Sequence, residues 1–317
     1  MENQTTKKLL YKIARAYYEE GKTQKQIGKC FGLSRVKVCR LLRQARDLKI
    51  VQVSFIDPEG SNADIEHQLA TKYNINEVLT ATPSTRHPQT IRATIGSVAA
   101  NYLLRCIQGN ECIAVTWGNT LLSVVDALPP RNYPNLRIIQ SLGGLSQPNS
   151  DVNGADIVRR MAQTLGSKPI LLFAPGLVGK KEIRDALIAD PQISSVLEIA
   201  AKAQIAIVGI GAINPSSTLI SHNIFSENDI KRIIQKGAIG DIGLRFFNQN
   251  GLPIEDEVDD RIIGLTLQQL KKISRVIGVA AGPEKIPAIR ACLKSRLIDV
   301  LITDDQTAYT LLKETGG

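Results

Sequence analysis

The chain has 317 residues, 43% of them hydrophobic, and a formal net charge of +9 at pH 7. That length accommodates two domains with sizeable cores, and its apolar runs fall far short of the ~18 residues that a membrane-spanning helix needs. The five cysteines (Cys30, Cys39, Cys106, Cys112, Cys292) form no CxxC and no His/Cys cluster, which argues against a disulfide scaffold or a metal site and fits a reduced cytoplasm. The first eight residues are polar and lead straight into a helical pattern, unlike a secretory signal.

The charge is unevenly placed. Residues 1–50 carry 13 basic and four acidic side chains, so the whole excess lies there and the rest of the chain is neutral. A small basic module on a neutral body is the electrostatic footprint of binding to a phosphate backbone.

Within that module Leu9, Leu10, Ile13, Ala14 and Tyr17 recur at helical spacing, and Gly21 ends the helix. Thr23 reads as the N-cap of a short helix over 24–31, with Ile27 inward; Gly32-Leu33 is the turn, and Ser34 caps a third helix to about residue 48. On the third helix Val38, Leu41, Leu42, Ala45 and Leu48 share one arc, and Arg35, Val36, Cys39, Arg40 and Arg43 share the opposite one, with Lys37 at its edge. Two short helices joined by a glycine turn make a helix-turn-helix whose second helix reads the major groove of double-stranded DNA. Arg35 and Arg40 can each donate two hydrogen bonds to a guanine edge, and Val36 can meet a thymine methyl. Thr23, Lys25 and Lys37 suit phosphates. Gly28 sits inside the second helix, where glycine costs about 1 kcal/mol against alanine; close approach of the two helices explains it.

Residues 50–55 alternate apolar and polar and predict a short strand. The run 57–61 (Asp-Pro-Glu-Gly-Ser) breaks it and reads as a linker. A helix over 64–73, with Ile65 and Leu69 on one side, reads either as a connector or as a plain amphipathic surface helix. The organisation expected is a DNA-binding domain over 1–56, a linker and connector helix over 57–75, and an effector-binding and oligomerisation domain over 76–317.

Beyond residue 75 strand-like runs at 77–81, 112–116, 136–141, 169–173, 205–208, 276–280 and 300–302 alternate with helix-like stretches such as 90–106, 155–165 and 286–294. Buried β-branched runs separated by helices predict an α/β domain with a parallel sheet covered on both faces. The segment 242–254 reads as an added hairpin, with its turn at 248–251, or as an edge excursion. Open α/β sheets bind ligands at the carboxyl ends of their strands. Four glycine-bearing turns fall there: Trp117-Gly118-Asn119-Thr120, Gly143-Gly144, Gly209-Ile210-Gly211 and Gly282-Pro283-Glu284-Lys285. Such turns let backbone N–H groups approach an anion, with a helix N-terminus behind them. The last strand ends in Thr303-Asp304-Asp305. Lys285 suits a phosphate and Asp241 a sugar hydroxyl. There is no Walker lysine motif, no complete GxGxxG, no nucleophile elbow, and no histidine in these turns, so catalysis lacks an evident acid–base pair.

These stretches taken together resemble the SorC family of sugar-responsive bacterial transcriptional regulators, also described as DeoR-, CggR- or LsrR-like. The resemblance is carried by residues 17–27 and 32–42 in the basic module. In the body it is carried by Val115-Thr116-Trp117-Gly118-Asn119-Thr120, Val208-Gly209-Ile210-Gly211-Ala212, Lys236-Gly237-Ala238-Ile239-Gly240-Asp241-Ile242 and 301–308. It implies a Rossmann-like body with the fold of ribose-5-phosphate isomerase and glucosamine-6-phosphate deaminase. It also implies a tetramer that changes its grip on operator DNA when a phosphorylated sugar or polyol binds without turnover. By motif, Gly118, Asn119 and Thr120 hold the phosphate with Lys285 beside it, Gly143 and Gly144 line the pocket, and Asp241 takes a sugar hydroxyl. No cofactor or metal is implied. Cys39 stands where the family often has Ser or Thr, and Gly28 where it often has Ala. Leu142 stands where some relatives place a basic residue before the Gly-Gly pair, which points to a monophosphorylated effector. The rival reading is a sugar-phosphate isomerase or deaminase with a DNA-binding arm.

Overall fold

The computed structural model describes residues 2–52, 61–144, 154–213 and 224–313. It divides into two units, Met1–Gly60 and Ser61–Gly317.

The smaller unit holds α1 (Glu2–Tyr18), α2 (Gln24–Phe31) and α3 (Arg35–Asp47). Their apolar stripes close on one cluster: Leu10, Ile13 and Ala14 from α1, Ile27 from α2, and Val38, Leu42 and Ala45 from α3. Local chemistry fixes the boundaries. Thr23 and Gln26 form a reciprocal capping box at the start of α2, and Gly32, at φ +65°, ends it in the left-handed region. Ser34 Oγ accepts from Lys37 N at 3.2 Å to cap α3. A Cβ on Gly28 would lie 2.5 Å from the Leu33 carbonyl oxygen, so the turn's own backbone, rather than the facing helix, demands glycine there.

Two expectations fail in this unit. Leu48, placed inward by periodicity, is 49% exposed because α3 stops at Asp47. Residues 50–52 form no strand; the Ile50 and Val51 amides both bond the Ala45 carbonyl and close the end of α3 instead. The rest of that expected strand, and residues 57–60 of the expected linker, lie outside the described residues.

The larger unit is built on β1 (Glu77–Ala81), β2 (Cys112–Val115), β3 (Arg137–Gln140), β4 (Lys168–Ile170), β5 (Ile205–Gly209), β6 (Gly211–Ala212), β7 (Gly240–Ile242), β8 (Arg245–Phe247), β9 (Arg275–Val279) and β10 (Val300–Asp304). Seven strands form one sheet in the order β1-β10-β9-β5-β2-β3-β4, with every pair parallel. All seven expected strands are in it. Its helices are α4 (Ala63–Tyr73), α5 (Pro88–Cys106), α6 (Asn119–Ala127), α7 (Gly154–Thr164), α8 (Lys181–Ala189), α9 (Pro191–Ala201), α10 (Glu227–Gln235), α11 (Leu267–Leu270), α12 (Ile286–Ser295) and α13 (Asp305–Lys313).

Alternate strand residues face opposite layers. Ile113, Val115, Ile205 and Ile207 pack with α5, α6 and α7, whereas Cys112, Ala114, Ala206 and Val208 pack with α4, α9, α12 and α13. The helix over 63–73 packs within this unit. Leu69 is fully buried in the second of these layers, and Glu66 accepts from the Thr80 amide and hydroxyl at the end of β1.

β6, β7 and β8 make a small antiparallel sheet. The expected hairpin at 242–254 therefore has an extra partner. β7 turns through Gly243 and Leu244 into β8, and a second turn at 248–251 brings Pro253 back beside Phe247.

The chain order makes one reversal. From β2 the chain passes outward through β3 to β4, then returns to β5 on the other side of β2 and proceeds through β9 to β10. In such sheets ligands bind in the crevice outside the carboxyl ends of the strands flanking the reversal. Here those strands are β2 and β5.

Candidate functional site

The carboxyl end of β2 runs into Thr116, Trp117, Gly118 and the first turn of α6. Gly118 has φ 144° and ψ 161°, a conformation essentially restricted to glycine, although a Cβ there would meet nothing within 4 Å. Backbone shape alone therefore selects it. No side chain caps α6. Among the described residues the amides of Asn119, Thr120 and Leu121 find no acceptor, and the first helical bond runs from Leu122 N to Gly118 O at 3.0 Å. Open first-turn amides carry the positive end of the helix dipole and suit an anion. Thr120, 7% exposed, and the exposed Asn119 stand at this terminus.

The other three turns differ. The Gly143 amide donates to Ile263 O and the Gly144 amide to Ala174 O, each at 2.9 Å. A Cβ on Gly143 would sit 2.4 Å from Pro175 O. These glycines allow loops to cross, and their N–H groups are already spent. The Gly209-Ile210-Gly211 stretch opens no helix; it carries β5 directly into β6, where the Asp241 carboxylate overlies Gly211 so closely that a Cβ would meet Oδ1 at 1.9 Å. The Gly282 amide donates to Asp304 Oδ2 at 3.0 Å and to Thr307 Oγ1 at 3.1 Å. Asp304 also accepts from Thr307 N, so this acid holds the start of α13 rather than facing a ligand. Asp305 pairs with Arg86 in a two-bond fork.

The structure does bring together the two ionisable residues chosen from sequence. Asp241 is 6% exposed and Oδ2 accepts from Leu244 N at 3.0 Å. Burial pushes its carboxyl up to about 6; the Leu244 amide and the Lys285 charge oppose that shift. Lys285 stands just before α12, where its side chain makes no capping bond, and is half-buried. Burial lowers its ammonium, opposed by Glu284 and Asp241 and reinforced by Arg92. An acid and a base 44 positions apart in the chain thus lie within electrostatic reach of each other.

Sequence reasoning also missed Arg245 and Trp117 as builders of this edge. Arg245, fully enclosed, donates to the carbonyls of Asp259, Ile262, Gly264 and Leu265 and pairs with Asp259 Oδ1 at 2.9 Å. Trp117 Nε1 donates to Gly143 O at 2.9 Å and so ties the β2 and β3 ends together. Thr116 Oγ1 and Thr303 Oγ1 are buried without a partner among the described residues. Also among these residues, no His/Cys/Asp/Glu group could hold a metal, and no helix is long and apolar enough to cross a membrane.

In the smaller unit Arg35, Val36, Lys37, Cys39, Arg40 and Arg43 of α3 are exposed, and Val36, at 63%, is an apolar side chain standing in solvent. Among the described residues none of the four cations has an ion pair. Lys25 is exposed on α2. The Thr23 hydroxyl, read from sequence as a phosphate contact, instead donates to Gln26 Oε1 and accepts from Gln26 N; the Ser34 hydroxyl is likewise engaged as a cap.

A family model described as "Putative sugar-binding domain" matches residues 57–313, and one described as "Sigma-70, region 4" matches residues 12–47. The chain belongs to this family of sugar-binding transcriptional regulators. Two curated relatives span nearly the full length. One is the deoxyribonucleoside regulator of Bacillus subtilis, 27% identical with 96% of this chain and 97% of that protein covered. The other is the erythritol catabolism regulatory protein EryD of Brucella abortus, 29% identical with 98% of each covered. Among solved structures the full-length sorbitol operon regulator SorC from Klebsiella pneumoniae superposes with a TM-score of 0.75 at 25% identity, covering 96% of this chain and 98% of that one. A DeoR family regulator from Listeria monocytogenes gives a TM-score of 0.74 at 27% identity over 78% of this chain. The SorC resemblance read from the residues is borne out, as is the α/β body behind a helical DNA-binding region. As a member of this family, the chain is a DNA-binding transcriptional regulator.

Proposed function

We propose that this regulator controls a carbohydrate or polyol operon and is switched by a monophosphorylated sugar or polyol held at the carboxyl edge between β2 and β5. The observation that carries the reading is the uncapped start of α6. It presents three open amides beside the Thr120 side chain at the sheet's reversal point, and Asp241 and Lys285 are close enough to influence each other's charge. Asn119 and Thr120 receive the phosphate with Lys285, and Asp241 accepts a sugar hydroxyl. Gly143 and Gly144 shape the wall without donating. On α3 Arg35, Val36, Arg40 and Arg43 read bases, and Lys25 and Lys37 hold phosphates. The protein acts in the cytoplasm as a homo-oligomer, with a tetramer expected, and it does not turn its effector over.

The test has two arms. Arg35→Ala should weaken operator binding by about 1–3 kcal/mol and relax discrimination at one base pair. Lys285→Ala should leave operator binding intact and abolish the response to ribose 5-phosphate and related esters. If the wild-type chain prefers no promoter-proximal palindrome over random DNA, the regulator reading is wrong.

One observation favours the rival, a sugar-phosphate isomerase or deaminase: a buried carboxyl titrating near 6 beside a lysine is the poise of a general base. The names of the relatives weigh against it. Turnover of a sugar phosphate by the purified protein, lost in Asp241→Asn, would establish it.

A further inference from the structure

α5 begins at the carboxyl edge of β1, crosses β10 and β9, and lies along α6. The two helices touch backbone to backbone: a Cβ on Gly96 would fall 2.6 Å from Ser123 O. Both helices follow strands of one parallel sheet and so run in the same direction. Stepping back one turn on each brings Arg92 of α5 level with Asn119 of α6. Arg92 is half-buried and, among the described residues, has neither an ion pair nor a hydrogen bond. Its charge is felt by Lys285.

This placement gathers two cations that have no ion-pair partner among the described residues. Arg92 lies near the positive end of α5, Lys285 at the positive end of α12, and both lie on the side of the sheet edge where α6 opens. Helix N-termini disfavour cations. The acids within reach of Lys285 are Asp241, which burial raises to about 6 so that it ionises only above that pH, and Glu284, which is exposed. Neither lies within 4.0 Å of Lys285 as an ion pair among the described residues. An arrangement that opposes its own stability in this way is satisfied by an anion of more than one charge.

We infer that Arg92 is a specificity-determining residue of this site, supplying the second cation that makes it select a doubly charged phosphate monoester over singly charged anions. The inference rests on the effector site proposed above and adds a residue and a selection rule to it. A sugar sulfate or sugar acid, carrying one charge, would leave one of the two cations uncompensated.

The test uses two fragments of the same shape, methyl phosphate and methyl sulfate, titrated into the full chain at pH 8 and constant ionic strength with melting temperature as the readout. Methyl phosphate is then a dianion and methyl sulfate a monoanion. The wild type should bind methyl phosphate about tenfold more tightly or better, from one added charge at close range. Arg92→Gln should bring the two fragments within about twofold by weakening methyl phosphate alone, Arg92→Lys should restore most of the preference, and the unliganded melting temperature should match wild type for Arg92→Lys and be no lower than wild type for Arg92→Gln. If Arg92→Gln keeps the preference while Lys285→Ala weakens methyl phosphate, the role of Arg92 is refuted and the effector site stands. If neither variant changes the binding of either fragment, both readings fall.

Discussion

The turns after β2 and β3 carry the same glycine signal, yet they are opposites in the folded chain. After β2, Gly118 adopts a backbone shape reserved for glycine and leaves three amides of α6 open. After β3, Gly143 and Gly144 spend both amides on the neighbouring loops at 174 and 263, and Gly143 is there because Pro175 passes against it. A glycine near a strand end is thus either an opening or a crossing, and only the destination of its N–H distinguishes them. The largest effect that tests this contrast is on folding. Gly143→Ala pushes a methyl into a carbonyl held from both sides and should cost about 3 kcal/mol or more, seen as a steep fall in melting temperature or in soluble yield. Gly118→Ala meets no atom and should cost about 1–3 kcal/mol from backbone strain alone. Equal losses at the two positions would erase the distinction.

The second effect concerns the acid between these ends. Asp241 has a folded value raised from 3.8 to about 6 by burial. The sign follows from linkage: below its ordinary value the group is neutral in both states, and stability is lost as pH rises through about 6 because the folded chain resists the charge. Asp241→Asn removes that cost and keeps an oxygen for Leu244 N. The variant should match wild type near pH 4 and be more stable at pH 8 by about 2–3 kcal/mol. Thermal melts from pH 4 to 8 read this directly; a variant less stable than wild type at pH 8 would show that the charge is compensated there.

How much of this was legible before folding follows from the range of the forces. The seven strands, the caps at Thr23 and Ser34 and the basic face of α3 are written in short-range periodicity and charge, and each appears where the residues place it. What was lost is long-range. The partners of the Gly143, Gly144 and Gly282 amides lie about 20 to 120 positions away in the chain, and no local pattern encodes them. Arg245, which braces four carbonyls, looked like an ordinary strand residue for the same reason. Leu48 failed differently: periodicity continued the stripe, but the chain turned at Asp47.

A third effect should separate the two ends by ligand rather than by stability. Thr120→Ala removes a hydroxyl from the open end. It should weaken ribose 5-phosphate by about 1.5–3 kcal/mol, the range for a hydrogen bond to a charged group, with the unliganded melting temperature little changed. Isothermal titration provides the affinity. An unchanged affinity would mean that the phosphate does not lie at α6.

The smallest expected effect falls on the side-chain bond from Trp117 that joins the two ends. Trp117 Nε1 donates to Gly143 O, and the ring lies so close to α7 that a Cβ on Gly154 would meet its Cδ1 at 2.7 Å. Trp117→Phe keeps most of the ring and deletes the donor, leaving a carbonyl without its partner at a cost of about 1–2 kcal/mol. If the β3 end is only a brace, that loss appears in the melting temperature while affinity for ribose 5-phosphate changes by less than about twofold. If affinity falls while stability holds, the brace is part of the switch: the tryptophan then relays the state of the open amides to the loops that cross at Gly143, and the two ends work as one device rather than as an opening beside a wall.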